Sequence, residues 1–207
     1  MVEVIAKSQY SESCRLCPRL QRQFKNLRQH YPDYWNRPVP ASGHPESSLL
    51  IVGLAPGMHG ANKTGIPFTG DASGELLFKT LLRLGIETRV RITNVVKCLP
   101  VKNAPNKKEL DNCRRFLLAE LKAHRAKNGY VLFALGGVAH NSILKTYGFT
   151  LSHFPFKHGA VHRFADGGCL VDSYHCSRYN TQTGRLTEVM FHQVLSKAAR
   201  LSGLLDG

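Results

Sequence analysis

Two groups of residues in this sequence could carry chemistry: a set of cysteines and a loop rich in glycine. Cys14 and Cys17 are separated by two residues, a spacing that places two thiolates on one metal. Cys98 and Cys113 could complete a four-thiolate site, and from spacing alone both zinc and a [4Fe–4S] cluster fit. The alternative for Cys98 and Cys113 is plain burial, because a free cysteine behaves as a small hydrophobic side chain.

The glycine-rich segment, GLAPGMHGANKTGIPFTGD at 53–71, follows a short apolar run. A strand that leads into such a loop is typical of anion sites, and residues 57–64 differ from a Walker A loop in having Asn62 before the lysine. A Walker loop also needs a helix that begins at this lysine, and Gly65 and Pro67 disfavour one. The sequence has no G-x-G-x-x-G fingerprint either. Neither type of nucleotide-phosphate site is therefore predicted.

This loop is expected to bind something else. Its glycines permit close backbone approach and positive φ, so the loop could enclose a small flat ligand with backbone groups. Phe68 offers a stacking face. The alternative is an ordinary long loop with turn glycines.

Composition and charge limit the partners. The 207 residues are 43% hydrophobic and 20% charged, which indicates a single globular domain. Lys and Arg outnumber Asp and Glu by 28 to 14, and the net charge of +14 favours a polyanionic partner, nucleic acid first. No apolar run approaches the roughly 18 residues of a membrane-spanning helix, and no signal-peptide core is present. We expect a cytoplasmic, nucleoid-associated protein without a disulfide framework, in which Cys169 and Cys176 are simply buried.

Strand and helix patterns alternate along the chain. Strands are predicted at 49–54, 89–96 and 130–135, with two shorter ones at 161–164 and 169–171. Helices are predicted at 14–30, after a cap at Asp71 or Ser73, at 107–124, from 137 through Leu144, and at 186–201. This order predicts an α/β fold with a mostly parallel sheet covered by helices on both faces.

The carboxyl ends of such strands should share one ligand site. Four segments begin there: the loop after Val52, the residues after Asn94, those after Gly136, and Tyr174 with His175. We expect the four to converge on one pocket.

In this order the motifs resemble the iron–sulfur uracil-DNA glycosylases of families 4 and 5, and family 5 more closely. The resemblance covers nearly the whole chain. It is carried by Cys14-x2-Cys17, the segment 53–77, ITNVVKC at 92–98, Cys113, ALGGVAHNSIL at 134–144 and SYHCSRYNTQTGRLT at 173–187.

The resemblance implies a three-layer α/β/α fold with a central four-stranded parallel sheet. It implies one domain over 1–207, with the N-terminal helix and the proline-rich loop of 1–47 packed on the core. It implies that Cys14, Cys17, Cys98 and Cys113 hold a structural [4Fe–4S] cluster. It further implies a monomeric, monofunctional enzyme that flips uracil, and other deaminated bases such as hypoxanthine, out of DNA and removes them in base excision repair.

The resemblance also assigns roles in the pocket. Gly57 allows close approach of the base, Phe68 stacks on it and Asn94 recognises its edge. His175 stabilises the departing base. The acid is chosen from the residues themselves, because Asp71 is the only carboxylate between Gly53 and Gly74. Asp71 directs the attacking water, or only caps the following helix, or does both, and His59 and Asn62 are secondary candidates for holding the water.

The DNA contacts are predicted at Asn62, Lys63, Asn180, Thr183 and Arg185. Two departures from the family pattern are visible. No carboxylate follows the G-x-A-P-G segment closely, and Cys176 stands where proline usually follows the histidine. The first departure leaves an alternative open, a catalytically weak or inert protein that binds damaged or abasic DNA.

Overall fold

The computed structural model describes residues 12–127 and 129–206. Its strands form one sheet of six, in the order β1-β3-β2-β4-β6-β5. The strands are β1 (Ser42–Gly43), β2 (Leu49–Gly53), β3 (Arg91–Asn94), β4 (Val131–Leu135), β5 (Val161–Arg163) and β6 (Cys169–Ser173).

The four central strands are parallel, as predicted from the sequence, and each edge of the sheet carries one further strand. Strands β3, β2, β4 and β6 run parallel to their neighbours, with Ile51 opposite both Ile92 and Phe133. Strands β1 and β5 add one antiparallel strand at each edge, so the sheet has six strands rather than the predicted four. All residues of β2, β4 and β6 are buried, as expected for parallel strands covered on both faces.

Seven α-helices are described, and they fill the outer two layers. They are α1 (Pro18–His30), α2 (Ala61–Thr64), α3 (Ala72–Arg83), α4 (Lys107–Arg125), α5 (Gly137–Tyr147), α6 (Arg178–Gln182) and α7 (Glu188–Leu201). Helices α3 and α7 pack with Leu49 and Ile51 on one face of the sheet. Helices α1, α4 and α5 pack with Leu50 and Val52 on the other face. The predicted three-layer arrangement is therefore confirmed.

Local signals in the sequence set several helix ends. Asn106 caps α4 in a capping box with Glu109, and Asp71 caps α3 as predicted. Helix α1 begins at Pro18, later than the predicted start at residue 14, so that Cys14 and Cys17 precede it. Proline suits the first turn of a helix because it needs no N–H partner there.

The N-terminal segment packs on the core where it is described. Leu20 and Phe24 of α1 are fully buried, and Val39 of the proline-rich loop is 2% exposed. Residues 1–11 lie outside the described part, so a single domain over 1–207 stays a prediction. No helix in the described ranges is long and apolar enough to cross a membrane.

Candidate active site and cysteine cluster

A cleft of about 540 Å³ lies at the carboxyl ends of the parallel strands. The loop after β2, the end of β3 and the segment after β6 all line it. The cleft brings together five predicted site residues: Gly57, Phe68, Asp71, Asn94 and His175. The fourth segment, which begins after Gly136, was also expected at this pocket, but none of its described residues lines the cleft. Gly136 lies next to the side chain of His175 instead.

Phe68 is held in the cleft by an unusual backbone conformation and by two glycines. Its φ of 59° is in the left-handed region, which a phenylalanine rarely adopts. A Cβ on Gly53 would lie 2.5 Å from the Phe68 ring, and one on Gly74 would collide with the Phe68 carbonyl oxygen. The ring is 7% exposed, and its centroid lies 6.2 Å from that of His175. Both glycines are therefore required for this placement.

Asn94 ends β3 with its side chain buried and incompletely hydrogen-bonded. It is 3% exposed, and its Oδ1 has no partner within the described residues. Leaving a buried acceptor unpaired costs roughly 1–3 kcal/mol. An amide with a free acceptor beside an aromatic ring fits a ligand that supplies an N–H donor.

The two carboxylate oxygens of Asp71 have different surroundings. Oδ1 accepts the backbone N–H of Gly74 at 2.9 Å and caps α3. Oδ2 lies against the backbone of the glycine loop, where a Cβ on Gly57 would be 2.8 Å away and one on Gly60 closer still. The predicted cap is confirmed, and Oδ2 is left to serve the cleft.

His175 is poised as a neutral donor. Burial lowers the pKa of His175 because the charged imidazolium is poorly solvated there, and the nearby charge of Asp71 only partly opposes this. At neutral pH the ring therefore carries one N–H. Asn180 donates to the His175 carbonyl oxygen at 2.8 Å and fixes the backbone at this point.

The predicted DNA contacts divide into exposed and internal residues. Lys63, Thr183 and Arg185 are exposed, and the Arg185 guanidinium lies 4.7 Å from the centre of the Tyr174 ring. Asn180 is half-buried and bonded to the His175 carbonyl oxygen, so the structure gives it an internal role.

The prediction that Asn62 contacts DNA is wrong. Asn62 is fully buried, and its Nδ2 donates to Oδ1 of the equally buried Asn36 at 2.9 Å. This pair joins the loop to the proline-rich segment, and no surface ligand can reach it. Its helix, α2, has a single turn and ends at Gly65 with a φ of 77°. A phosphate-binding helix starting at Lys63 is thus excluded, as Gly65 predicted.

Two aromatic residues, Tyr34 and Tyr179, escaped the sequence analysis. His59, a predicted candidate for holding the water, is exposed at the rim of the cleft, and its Nδ1 lies 3.0 Å from the Tyr34 hydroxyl. Lys63 places its ammonium 5.5 Å from the Tyr34 ring centre. Tyr179, on α6 just after His175, is 72% exposed. An aromatic residue in the segment 173–187 was the available signal for Tyr179, whereas the partners of Tyr34 are distant in sequence.

The four predicted ligand cysteines line one cavity between α1, α4 and the chain after β3. Burial raises the pKa of the Cys17 and Cys98 thiols, and that of Cys113 to about 11, because a thiolate is poorly solvated there. The backbone N–H of Lys97 donates to Cys113 Sγ at 3.3 Å, and Asn112 donates to Cys17 Sγ at 3.5 Å. Donors aimed at sulfur are typical of thiolates that hold a metal centre.

Cysteine thiolates hold both tetrahedral zinc and [4Fe–4S] clusters. The four side chains that line this cavity are therefore chemically suited to either group.

A second buried polar cluster lies apart from the cleft. Asp172 of β6 contacts His140 Nδ1 at 2.7 Å and His162 Nε2 at 2.9 Å, and His140 Nε2 lies 2.8 Å from the Phe154 carbonyl oxygen. The three side chains offer ligand atoms within 4.8 Å of one another. Their contacts are shorter than the roughly 3.3 Å between ligand atoms on tetrahedral zinc. They form a hydrogen-bonded triad that joins α5, β5 and β6.

Comparison with known proteins identifies the family. A family model described as the uracil DNA glycosylase superfamily matches residues 40–199. The chain therefore belongs to the uracil-DNA glycosylase superfamily.

Similar proteins indicate the type within this superfamily. The chain is 43% identical to a type-5 uracil-DNA glycosylase of Thermus thermophilus, over 93% of this chain and 95% of that protein. It is 41% identical to a type-5 enzyme of Pyrobaculum aerophilum, over 93% and 91%. A type-4 enzyme of the same archaeon is 35% identical over 56% of this chain and 57% of its own. The chain groups with type 5, with type 4 next, as its motifs implied.

Proposed function

We propose that this protein is a monofunctional uracil-DNA glycosylase of base excision repair, which flips uracil out of DNA and hydrolyses its N-glycosidic bond. The observation that carries the proposal is the buried Asn94 amide, whose Oδ1 lacks a partner among the described residues while Phe68, Asp71 and His175 line the same cleft. The relatives named as type-5 enzymes support the same activity.

Base recognition follows from the chemistry of the amide. Uracil presents an N3–H donor next to its O4 acceptor, so Asn94 Oδ1 accepts the first while Nδ2 donates to the second. Cytosine presents the opposite order and leaves both amide groups mismatched. Hypoxanthine presents N1–H beside O6, which is the uracil order, and we propose it as a further substrate. The flipped base stacks on Phe68, and extraction costs a few kcal/mol, least at a mismatch.

Bond cleavage builds positive charge on the sugar and negative charge on the leaving base. The neutral His175 ring donates its N–H to the uracil O2 as that charge develops. Asp71 Oδ2 orients a water molecule toward the anomeric carbon and faces the sugar cation. The C–N bond breaks with its electrons passing to the base, and the water oxygen bonds to the anomeric carbon. The water loses one proton, the uracil anion gains one, and the products are uracil and an abasic site.

The exposed residues around the cleft supply the DNA surface. Lys63 and Arg185 contact phosphates, and Thr183 supports the same strand. Tyr179, 72% exposed on α6, occupies the space left by the flipped nucleotide. Every proposed group belongs to one chain, so we propose that the protein acts as a monomer.

The cysteine cavity suits a [4Fe–4S] cluster held by Cys14, Cys17, Cys98 and Cys113. When bound, the cluster would supply structural cross-linking and no chemistry to the reaction. Its ligands would join the start of α1 and the middle of α4 to the chain after β3. That chain leads directly from Asn94, so the cross-link would support the cleft.

The proposal is tested by base release from duplexes that each contain one modified base. We expect free uracil, and hypoxanthine more slowly, with strand breakage only after alkali. A nick without alkali would contradict a monofunctional mechanism. Tight binding to abasic DNA without release of any base would instead favour the inert damage-binding alternative.

A further inference from the structure

A buried lysine next to the cleft uses every hydrogen of its ammonium. Lys97 is 1% exposed. Its Nζ donates to Thr93 Oγ1 at 2.6 Å, to the Asn94 carbonyl oxygen at 2.8 Å and to Glu120 Oε2 at 2.7 Å. A buried ammonium is costly unless it is paired and fully hydrogen-bonded, and this one meets both conditions.

The surroundings of Lys97 fix its position from three sides. Glu120 reaches it from α4 and also accepts the Thr93 hydroxyl at 2.9 Å, so the three side chains form a closed triangle. The backbone N–H of Lys97 donates to Cys113 Sγ at 3.3 Å. The main chain of this lysine is thus held at the cysteine cavity while its side chain extends back to Asn94.

The position of Asn94 depends on contacts to its backbone, because its side-chain oxygen, Oδ1, receives no hydrogen bond from the described residues. No hydrogen bond from them therefore holds the amide oxygen in place. Both polar groups of the peptide bond between Asn94 and Val95 are hydrogen-bonded. Val95 N donates to the Gly53 carbonyl oxygen at 2.9 Å, and Lys97 Nζ donates to the Asn94 carbonyl oxygen. Small displacements of a recognition group are expensive in catalysis.

We propose that Lys97 is a positioning residue that fixes the backbone of Asn94 and so aims its amide at the flipped base; this inference rests on the function proposed above. The competing role for Lys97 is a buried ion pair that only stabilises the fold. The two roles differ in one respect. A positioning residue acts on cleavage through Asn94, whereas a stabilising pair acts independently of it.

A double-mutant cycle separates them, with single-turnover uracil release at saturating enzyme as the readout. We expect Lys97→Met to slow release about 100-fold in the wild-type background and less than about threefold in the Asn94→Ala background, because residues acting as a unit are non-additive. Affinity for an abasic-site duplex should stay within about threefold in both backgrounds. Equal slowing in both backgrounds would overturn the proposal, and so would unchanged release by Lys97→Met.

Glu120→Gln is the matched control. It removes the ion pair but leaves the Lys97 bond to Asn94, so it should lower the thermal unfolding midpoint while slowing release less than tenfold, on the order of one hydrogen bond. Slowing equal to that of Lys97→Met would assign the effect to the ion pair and overturn the proposal. If Lys97→Met fails to fold, the same cycle is run with Thr93→Val, which removes one anchor of the ammonium. The expected loss is then about tenfold, again confined to the background with Asn94.

Failure of the two proposals is distinguishable. A wild-type protein that releases no base refutes the proposed function and this inference with it. A wild-type protein that releases uracil, with additive effects in the cycle, refutes the positioning role alone.

Discussion

The cleft and the cysteine cavity begin four residues apart, at Asn94 and Cys98, yet they are built in opposite ways. The cleft is made by removing side chains, since Gly53, Gly57 and Gly60 admit Phe68 and Asp71 where a Cβ would collide. The cavity is made by bringing side chains together from α1, α4 and the chain after β3.

The polar groups of the cleft and of the cysteine cavity also differ in how completely they are hydrogen-bonded. In the cleft, Asn94 Oδ1 has no partner within the part of the chain that is described. At the cavity, sulfur atoms receive donors from Lys97 and Asn112. Buried acceptors without a partner among the described residues also occur at Gln23 and Asn62, so a missing partner points to a substrate only where the group lines the cleft, as at Asn94. Groups bound from several elements mark a structural joint. Changes in the cleft should therefore reduce activity, and changes in the cavity should reduce stability.

The largest expected effect concerns Asp71. Asp71→Ala removes both the cap and the cleft oxygen, while Asp71→Asn keeps an oxygen that can accept the Gly74 N–H and loses the charge. We expect both variants to release uracil about 10³-fold more slowly, the scale of one electrostatic group in a reaction centre. Only Asp71→Ala should lose about 1 kcal/mol of unfolding free energy, the usual value of a helix cap.

Single-turnover rates and chemical denaturation measure the two effects of Asp71 separately. Full activity in Asp71→Asn would reduce Asp71 to a cap.

The next largest effect concerns the cysteine cavity, where a substitution should reduce stability. Cys113→Ala should lose bound iron and lower the thermal unfolding midpoint by about 6–12 °C, as expected for a loss of about 3 kcal/mol in a chain of this size. Cys169→Ala is the control, because Cys169 is equally buried but lies outside the cavity. Iron analysis and calorimetry check the result. Equal iron content in the two variants would contradict the four-cysteine assignment.

Acid should affect stability through a histidine outside both regions. Burial lowers the pKa of His124 to about 4, and its Nε2 lies 3.0 Å from the Val131 carbonyl oxygen. Because the unfolded state takes up the proton first, folding stability is fully present above the ordinary pKa of about 6.5 and falls as pH drops toward 4, by about 3 kcal/mol.

Urea titrations at pH 7 and pH 4.5 test this. His124→Gln should reduce the difference, and an unchanged pH dependence in that variant would contradict the assignment.

The smallest expected effect lies on the rim. Lys63→Gln and Arg185→Gln should each weaken binding to an abasic-site duplex and reduce the slope of log affinity against log salt by about 1. Arg200→Gln, on α7, is the control and should leave the slope unchanged. A slope that falls equally in all three variants would show that charge alone, not the rim, governs binding.

Local patterns in the sequence predicted much of this molecule. The parallel core follows from the alternation of strand and helix patterns, and the Asp71 cap follows from its place before a helical pattern. The shared site for Asn94 and His175 follows from strand ends on one side of a sheet, whereas the role of Phe68 came from the family resemblance. The edge strand β1 has only two residues and carries no periodicity. The burial of Asn62 depends on Asn36, 26 residues away, and the environment of Lys97 depends on Glu120, 23 residues away. Such long-range partners leave no local signal.

The most direct test of the central claim is uracil release by the wild-type protein and by Asn94→Ala, from one duplex with a single U·G pair and one with a single U·A pair. The account predicts release by the wild-type protein from both, faster from U·G, and a rate lowered at least about 100-fold in Asn94→Ala with abasic-site binding retained. Equal rates for Asn94→Ala and the wild-type protein would contradict it.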